Sequence, residues 1–135
     1  MISEIQEAII SELSRIPGAS VDAWVGDWDD FMKQPQKFPS LRVVYLGTAF
    51  ELKRLIGSVR ADHGMSFSVL VVHKNLKSRK DCATECYDLI ESVRQRLIGL
   101  KIADFGWLWP ESEELMGAEN GILVYGLNYK LATNT

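Results

Sequence analysis

Two histidines and two cysteines are the residues whose types allow nucleophilic chemistry. A nucleophile–base pair needs a serine or cysteine beside a histidine, and a third group that orients the base. His63 and His73 lie in no recognisable motif, and the chain contains no G-x-S-x-G sequence. We therefore interpret each histidine as exposed or as hydrogen-bonded in a structural role. No catalytic residue is predicted, and the chain is not expected to be an enzyme.

Cys82 and Cys86 are four residues apart, which places both on one face of a predicted helix. A structural zinc site needs four ligands, and the nearest histidine, His73, is separated from the pair by a predicted turn. Buried free thiols behave as small apolar groups. The pair is predicted to be reduced and buried, and no metal or other cofactor is predicted.

Three aspartates near the middle of the first half resemble part of a calcium loop. Asp27 and Asp29 have the type and spacing of its first two ligands, and Asp30 follows directly. The glycine that the EF-hand requires at position six is missing, and Phe38 occupies the position of the bidentate glutamate. A solvated acidic loop is the better interpretation.

A second acidic run contains Glu111, Glu113 and Glu114. Paired carboxylates can act as acid and base, but this run lies in a predicted connection between strands and no pocket is indicated. It is interpreted as soluble surface or as polar contacts to a partner. The glycines are scattered and form neither a G-x-G-x-x-G nor a P-loop sequence, so no phosphate-binding loop is predicted.

The strongest basic patch contains Lys74, Lys77, Arg79 and Lys80. It has the charge to contact an acidic partner surface or DNA phosphates. Because no aromatic residues are interleaved with it, a solvated turn is favoured over a nucleic-acid site.

Composition limits the class of protein further. A length of 135 residues predicts a single domain, residues 1–135. The net charge of −3 argues against a protein that coats nucleic acid. No apolar run approaches the roughly 18 residues that span a bilayer. The first residues lack the basic start of a secretory signal, so synthesis in the cytoplasm is expected.

The first half of the chain predicts a helix followed by strands. Residues 3–16 have an apolar stripe at helical spacing, with Ser3 as the predicted N-cap. A short strand is predicted at residues 21–25. Residues 26–40 lack a period and read as a long loop, and loops of that length are usually functional or disordered. Strand patterns resume at residues 41–50.

A central strand and a second helix follow. Residues 66–73 are apolar on both faces, which predicts a central or doubly covered strand. Residues 51–64 read as the tip of a long hairpin into which the strands can extend. The second helix is predicted to begin at Ser78 and to end near Gly99. Its apolar stripe consists of Cys82, Cys86, Leu89, Ile90, Val93 and Leu97.

The last stretch, residues 105–134, predicts a hairpin whose two strands flank an acidic connection. Its second strand alternates apolar and other residues with a period of two. The apolar series is Leu123, Tyr125, Leu127, Tyr129 and Leu131. The element order predicts an α+β fold, with two helices packed on one face of a mainly antiparallel sheet.

Four tryptophans are many for a chain of this size. Trp107 and Trp109 are two residues apart, so both point to the same face of a strand. They are interpreted either as core residues or as subunit contacts, because aromatic residues are enriched in interfaces. The other two are Trp24 and Trp28.

Several stretches resemble the Mu-like phage tail terminator family over nearly the whole chain. They are ISEIQEAIISELSRIPG, PSLRVVYLG, SFSVLVVHKN before an S-x-x-D helix start, and WLWPESEELMGAENGILVYGLNYKLAT. The resemblance implies a non-enzymatic subunit of a hexameric ring that caps the tail tube. The implied partners are further copies of the chain, the tail tube protein and a head-completion or connector protein. The implied location is the host cytoplasm during assembly and then the virion tail.

The same resemblance implies contact surfaces rather than a catalytic site. Neither a membrane nor nucleic acid is expected as a partner, apart from DNA that passes through the ring. Residues 26–40, 51–64 and 110–121 are expected to make contacts because they read as irregular segments. Candidate subunit or tube contacts are Trp28, Phe31, Trp107, Trp109, Lys77, Arg79 and Lys80. The alternative function is a small-molecule-binding or enzymatic α+β domain of unassigned chemistry.

Overall fold

A computed structural model describes residues 1–25, 38–55, 58–74, 78–119 and 121–134. Within these ranges the side chains of residues 51–55, 58–63, 79 and 132–134 are not described. The elements are α1 (Ile2–Leu13), β1 (Ser20–Ala23), β2 (Ser40–Leu55), β3 (Ser58–Lys74), α2 (Arg79–Leu97), β4 (Lys101–Ile102), β5 (Gly106–Glu119) and β6 (Ile122–Asn134). No helix among the described residues is long and apolar enough to cross a membrane.

The strands form one sheet in the order β1-β2-β3-β6-β5-β4. β1 and β2 are parallel, and every other neighbouring pair is antiparallel. Buried residues of both helices belong to one cluster with the same face of the sheet. The predicted α+β class, with two helices on one face of a mainly antiparallel sheet, is therefore confirmed for the described residues.

The first helix begins earlier than predicted. Met1 occupies the N-cap position, so Ser3 lies inside α1, and the prediction of a Ser3 cap was wrong. The side-chain amide of Gln6 donates a hydrogen bond of 2.9 Å to the carbonyl of Val43. The predicted apolar stripe is correct, since Ile5 and Ile9 are fully buried. The helix therefore docks on β2 through its stripe and through one side-chain amide.

Residues 67–72 of the central strand β3 are buried on both faces, as the sequence predicts. Phe67, Val69 and Val71 lie under the helices in the main core. Leu70 and Val72 face the other side, where a smaller cluster forms. The remaining members of that cluster are Val124, Trp24, Phe38, Val44 and Ile122. The second face of β3 is therefore apolar at the end that contains Leu70 and Val72.

The second helix matches its prediction closely. The Ser78 hydroxyl accepts a hydrogen bond of 3.3 Å from the backbone N–H of Asp81, which is the predicted N-cap. Gly99 follows the C-cap residue with a φ of 75°, a left-handed conformation that favours glycine. Five residues of the predicted stripe are buried and Leu89 is half-buried against the core.

Two segments that were expected to be irregular are regular strands. Residues 51–55 pair with residues 58–62 as a direct extension of the β2–β3 ladder, from Glu51↔Asp62 to Leu55↔Ser58. Residues 110–119 belong to β5 and pair with β6 as far as Glu119↔Ile122. The prediction that residues 51–64 form the end of a long hairpin into which the strands extend is confirmed for the described residues. The expectation that 51–64 and 110–121 are irregular was wrong for residues 51–55, 58–64 and 110–119, because each of these segments pairs with the other strand of its hairpin. The proposed loop at 26–40 lies mostly outside the described residues, and Ser40 already belongs to β2.

Candidate functional site

His73, Cys82 and Cys86 are the residues with described side chains among the two histidines and two cysteines of the chain, and each is held within the fold by a hydrogen bond or by burial. The Glu85 carboxylate of α2 accepts a hydrogen bond from Nε2 of His73. Cys82 and Cys86 are free and buried, as predicted. Burial, and secondarily the neighbouring Cys82, raises the pKa of the Cys86 thiol to about 11, so Cys86 is protonated at neutral pH. The side chain of His63 lies outside the described residues, which contain no cluster of three or more potential metal ligands.

The acidic run of β5 is partly neutralised by the second helix. Arg94 donates two hydrogen bonds to the Glu113 carboxylate, and the one from Nε measures 2.8 Å. This bidentate contact raises the pKa of Arg94 and fastens α2 to β5. Glu113 therefore has an internal partner, whereas Glu111 and Glu114 are exposed. Of the three glutamates, Glu111 and Glu114 are therefore the ones available for the predicted polar contacts with a partner.

Tyr129 carries a buried hydroxyl beside this ion pair. Its side chain is 2% exposed, and its hydroxyl has no hydrogen-bond partner among the described residues. Burial, and secondarily the charge of Glu113, raises the pKa of Tyr129 to about 12. The neutral phenol is therefore favoured in the folded state.

The substitution Tyr129→Phe should raise the free energy of unfolding by about 1 kcal/mol at pH 7, because it removes an unsatisfied buried hydroxyl. The advantage should widen at alkaline pH. The tyrosine of the unfolded chain ionises near pH 10, whereas folded Tyr129 ionises near pH 12. Below pH 10 this difference has no effect on stability, and as the pH rises towards 12 it lowers the free energy of unfolding of the original protein. The phenylalanine variant has no such loss. Urea unfolding of both proteins at pH 7 and pH 11 measures this. A destabilised variant at pH 7 would show that the hydroxyl has a partner.

Trp107 and Trp109 lie on the exposed face of β5. They are 51% and 54% exposed, whereas Leu108 between them is fully buried. Leu108 packs in the main core beneath the helices, so strand alternation places both indoles on the opposite face of the sheet. Trp109 pairs with Lys130 across the sheet, and the Lys101 ammonium lies 5.7 Å from the ring centroid of Trp107. Core filling, one of the two predicted roles, is wrong for these residues.

The outer edge of β5 is protected against indiscriminate strand pairing. Among the described residues, β4 pairs only with Gly106 and Trp107, so the edge beyond Leu108 has no neighbouring strand. This edge contains Pro110, and the register shifts at Glu111 and again at Met116. Proline, charge and bulges are the devices by which natural sheets prevent edge-to-edge association. The side chains of β5 are therefore better suited than its backbone to specific contacts.

A groove of about 440 Å³ lies between α2 and β5. Tyr87, Leu115 and Tyr125 supply its apolar wall, and the Arg94–Glu113 pair lines it. Tyr87 and Leu115 are 50% and 54% exposed. We call this the α2–β5 groove. No sequence pattern indicated it, because its two walls come from separate elements whose pairing is set by the fold.

The other predicted contact residues are only partly placed. Trp28, Phe31 and Lys77 lie outside the described residues, and the same applies to the Arg79 side chain. Lys80 is exposed in the first turn of α2. The Lys74 ammonium lies 6.0 Å from the ring centroid of Phe38. Lys74 and Lys80 are therefore exposed, and the clustering of the four basic residues stays a prediction.

The described residues form a small α+β fold whose notable surface features are exposed apolar side chains and a groove. Residues 14–135 match the family described as Gp37 protein, and the chain belongs to that family. Among solved structures, a chain from the structure titled "Virion of native gene transfer agent (GTA) particle" has a similar fold. It is 12% identical with a TM-score of 0.58, over 99% of this chain and 97% of that one. No curated protein sequence matches.

Proposed function

We propose that this chain is a structural component of a phage-derived virion and that it acts as a tail terminator. In this role, copies of the chain close into a hexameric ring on the end of the tail tube. The ring stops further polymerisation of the tube and provides the surface that joins the head. The chain performs no catalysis and uses no cofactor in this function.

The observation that carries the proposal is the fold likeness over nearly the full length of both chains to a protein of a gene transfer agent virion. If the likeness concerned only one domain of a larger, otherwise different protein, the alignment would cover only part of that protein's chain. The stretches that resemble tail terminators lie on α1, β2, β3 and the β5–β6 hairpin, which together form most of the sheet and one helix of the fold.

The exposed residues of β5 suit a subunit that works by contact. A cyclic ring needs two different patches on each copy, which meet head to tail. Trp107 and Trp109 are half exposed on a strand that is held in register by β6. Tryptophan in a rigid position is among the commonest energetic centres of protein interfaces. We assign these two residues to contacts with a neighbouring subunit or with the tube.

The assembly state of the purified protein tests the proposal. Mass photometry should give a particle of six chains, and negative-stain microscopy should show rings. Addition of the tail tube protein should place a ring at one end of each tube and should limit tube growth. The matched control is the tube protein alone, which should polymerise without limit. A chain that stays monomeric at high concentration, and that forms no ring on added tubes, would contradict the proposal.

The second candidate function is a small-molecule-binding domain. Two grooves favour it, namely the α2–β5 groove and one of about 470 Å³ beside α1 that is lined by Ala8, Leu100 and Phe105 among others. Ligand-induced thermal shifts across a panel of metabolites and metal ions measure it. A stabilisation of several degrees by one compound would favour this function over assembly alone, and an unresponsive protein would leave it without support.

A further inference from the structure

The α2–β5 groove combines exposed apolar surface with an excess of negative charge. Its apolar wall is formed by Tyr87, Leu115 and Tyr125. Three carboxylates line it against one guanidinium, and that guanidinium already binds Glu113. Glu91 and Glu114 are exposed and form no ion pair with the described residues. The groove is therefore suited to a segment that offers both apolar and basic side chains.

The far end of the β2–β3 hairpin has that chemistry. The ladder between β3 and β6 ends at Asp62↔Asn134, so residues 52–55 and 58–61 pair only with each other among the described residues. We call these residues the arm. The arm contains Lys53, Arg54 and Arg60, no acidic residue, and the apolar residues Leu52, Leu55 and Val59. A two-stranded ribbon without further neighbours is marginally stable in water, so contact with another surface would stabilise it.

The arm cannot reach the groove of its own chain. Leu115 pairs with Tyr125, which pairs with Val71 of β3. Ala61 is the arm residue of β3 that is nearest to Val71 in sequence. The two are ten residues apart on the same strand, which corresponds to about 33 Å. The continuous β2–β3–β6 ladder between the two positions holds them apart. A second copy of the chain is therefore the source of an arm for the groove.

We propose that the arm of one copy binds in the α2–β5 groove of the neighbouring copy. In this contact Lys53 and Arg60, which lie opposite each other in the arm, are near Glu91 and Glu114. Leu55, two residues from Lys53 and therefore on the same face of the ribbon, covers Tyr87 and Leu115. The proposal rests on the ring function proposed above and assigns its subunit interface. Because arm and groove are different patches, the contact is heterologous, and its repetition generates a closed ring or an open filament.

Charge reversal tests the contact. The variants are Lys53→Glu with Arg60→Glu in the arm, Glu91→Lys with Glu114→Lys in the groove, and all four together. Each pair should weaken subunit association by at least about 100-fold, since like charges then face each other. The variant with all four substitutions should recover association to within about 10-fold of the original protein. The matched control is Glu7→Lys with Asp104→Lys, which makes the same charge change as the groove variant at exposed positions outside both surfaces and should associate normally.

Mass photometry over a dilution series measures association, and circular dichroism verifies that each variant is folded. Carbodiimide cross-linking of a mixture of ¹⁵N-labelled and unlabelled protein provides a direct readout. A heavy–light peptide pair that joins Lys53 to Glu91 or Glu114 is expected. Rings that are insensitive to both reversals and lack this cross-link would overturn the arm–groove contact and leave the ring function intact. A monomeric wild-type protein would overturn both.

Discussion

Alanine at both Trp107 and Trp109 is expected to leave the protein folded and to weaken its assembly by at least about 100-fold. The indoles are half exposed on the sheet face opposite the helices, so their removal opens no cavity in the core. A central tryptophan in an interface contributes about 2 kcal/mol or more to binding, and 1.4 kcal/mol corresponds to a tenfold change in affinity. Two such residues together account for the expected loss.

The measurement combines ring formation by mass photometry, ring attachment to tubes by microscopy and thermal unfolding. The matched control is Ile2→Ala with Ile98→Ala, which truncates two exposed apolar side chains on or beside the helices. This control should assemble normally. Phenylalanine at both tryptophan positions should restore part of the assembly, because it retains most of the apolar area. Normal rings and normal tube attachment in the double alanine variant would remove both tryptophans from the proposed contacts.

The sequence predicts those parts of the fold whose signals are local. Ser78, Asp81 and Gly99 define both ends of α2, because an N-cap and a left-handed C-terminal glycine act within one turn of the helix. The two-sided apolar pattern of residues 66–73 likewise predicted the central place of β3, since burial on both faces requires neighbours on both sides.

Pairing with a neighbouring strand determines the parts that were missed. Residues 110–119 contain four glutamates and Pro110 and lack strand propensity, yet β6 pairs with them from Pro110↔Tyr129 to Glu119↔Ile122. Tertiary context overrides local preference in such strands. The partner of Glu113 is Arg94, 19 residues earlier on another element, and no spacing rule connects them.

The two tryptophans of β5 also show what residue spacing can and cannot predict about the candidate site. Their spacing correctly predicted that Trp107 and Trp109 share a face, but spacing alone does not decide which face is buried. That choice follows from the pairing of Leu108 with Leu131, both fully buried under the helices. The candidate interaction surface therefore depends on register, which the fold supplies and the period of two does not.

The largest change in stability is expected from Phe67→Ala. Phe67 is fully buried in the central strand β3, and its ring centroid lies 5.4 Å from that of Tyr45. Truncation of a buried phenylalanine to alanine typically costs 3–5 kcal/mol, because it combines lost burial with an unfilled cavity. We expect a loss of about 4 kcal/mol in the free energy of unfolding, which is a large part of the total for a domain of this size.

Phe50→Ala provides a matched control, because it makes the same chemical change on the adjacent strand β2 at a residue that is 69% exposed. Its cost should stay below about 1 kcal/mol, as is usual at exposed positions. Both substitutions are best compared by urea unfolding in the Trp107→Ala, Trp109→Ala background, since assembly otherwise makes stability depend on protein concentration. Equal losses at Phe67 and Phe50 would contradict the burial of Phe67 and with it the packing of both helices on this face of the sheet.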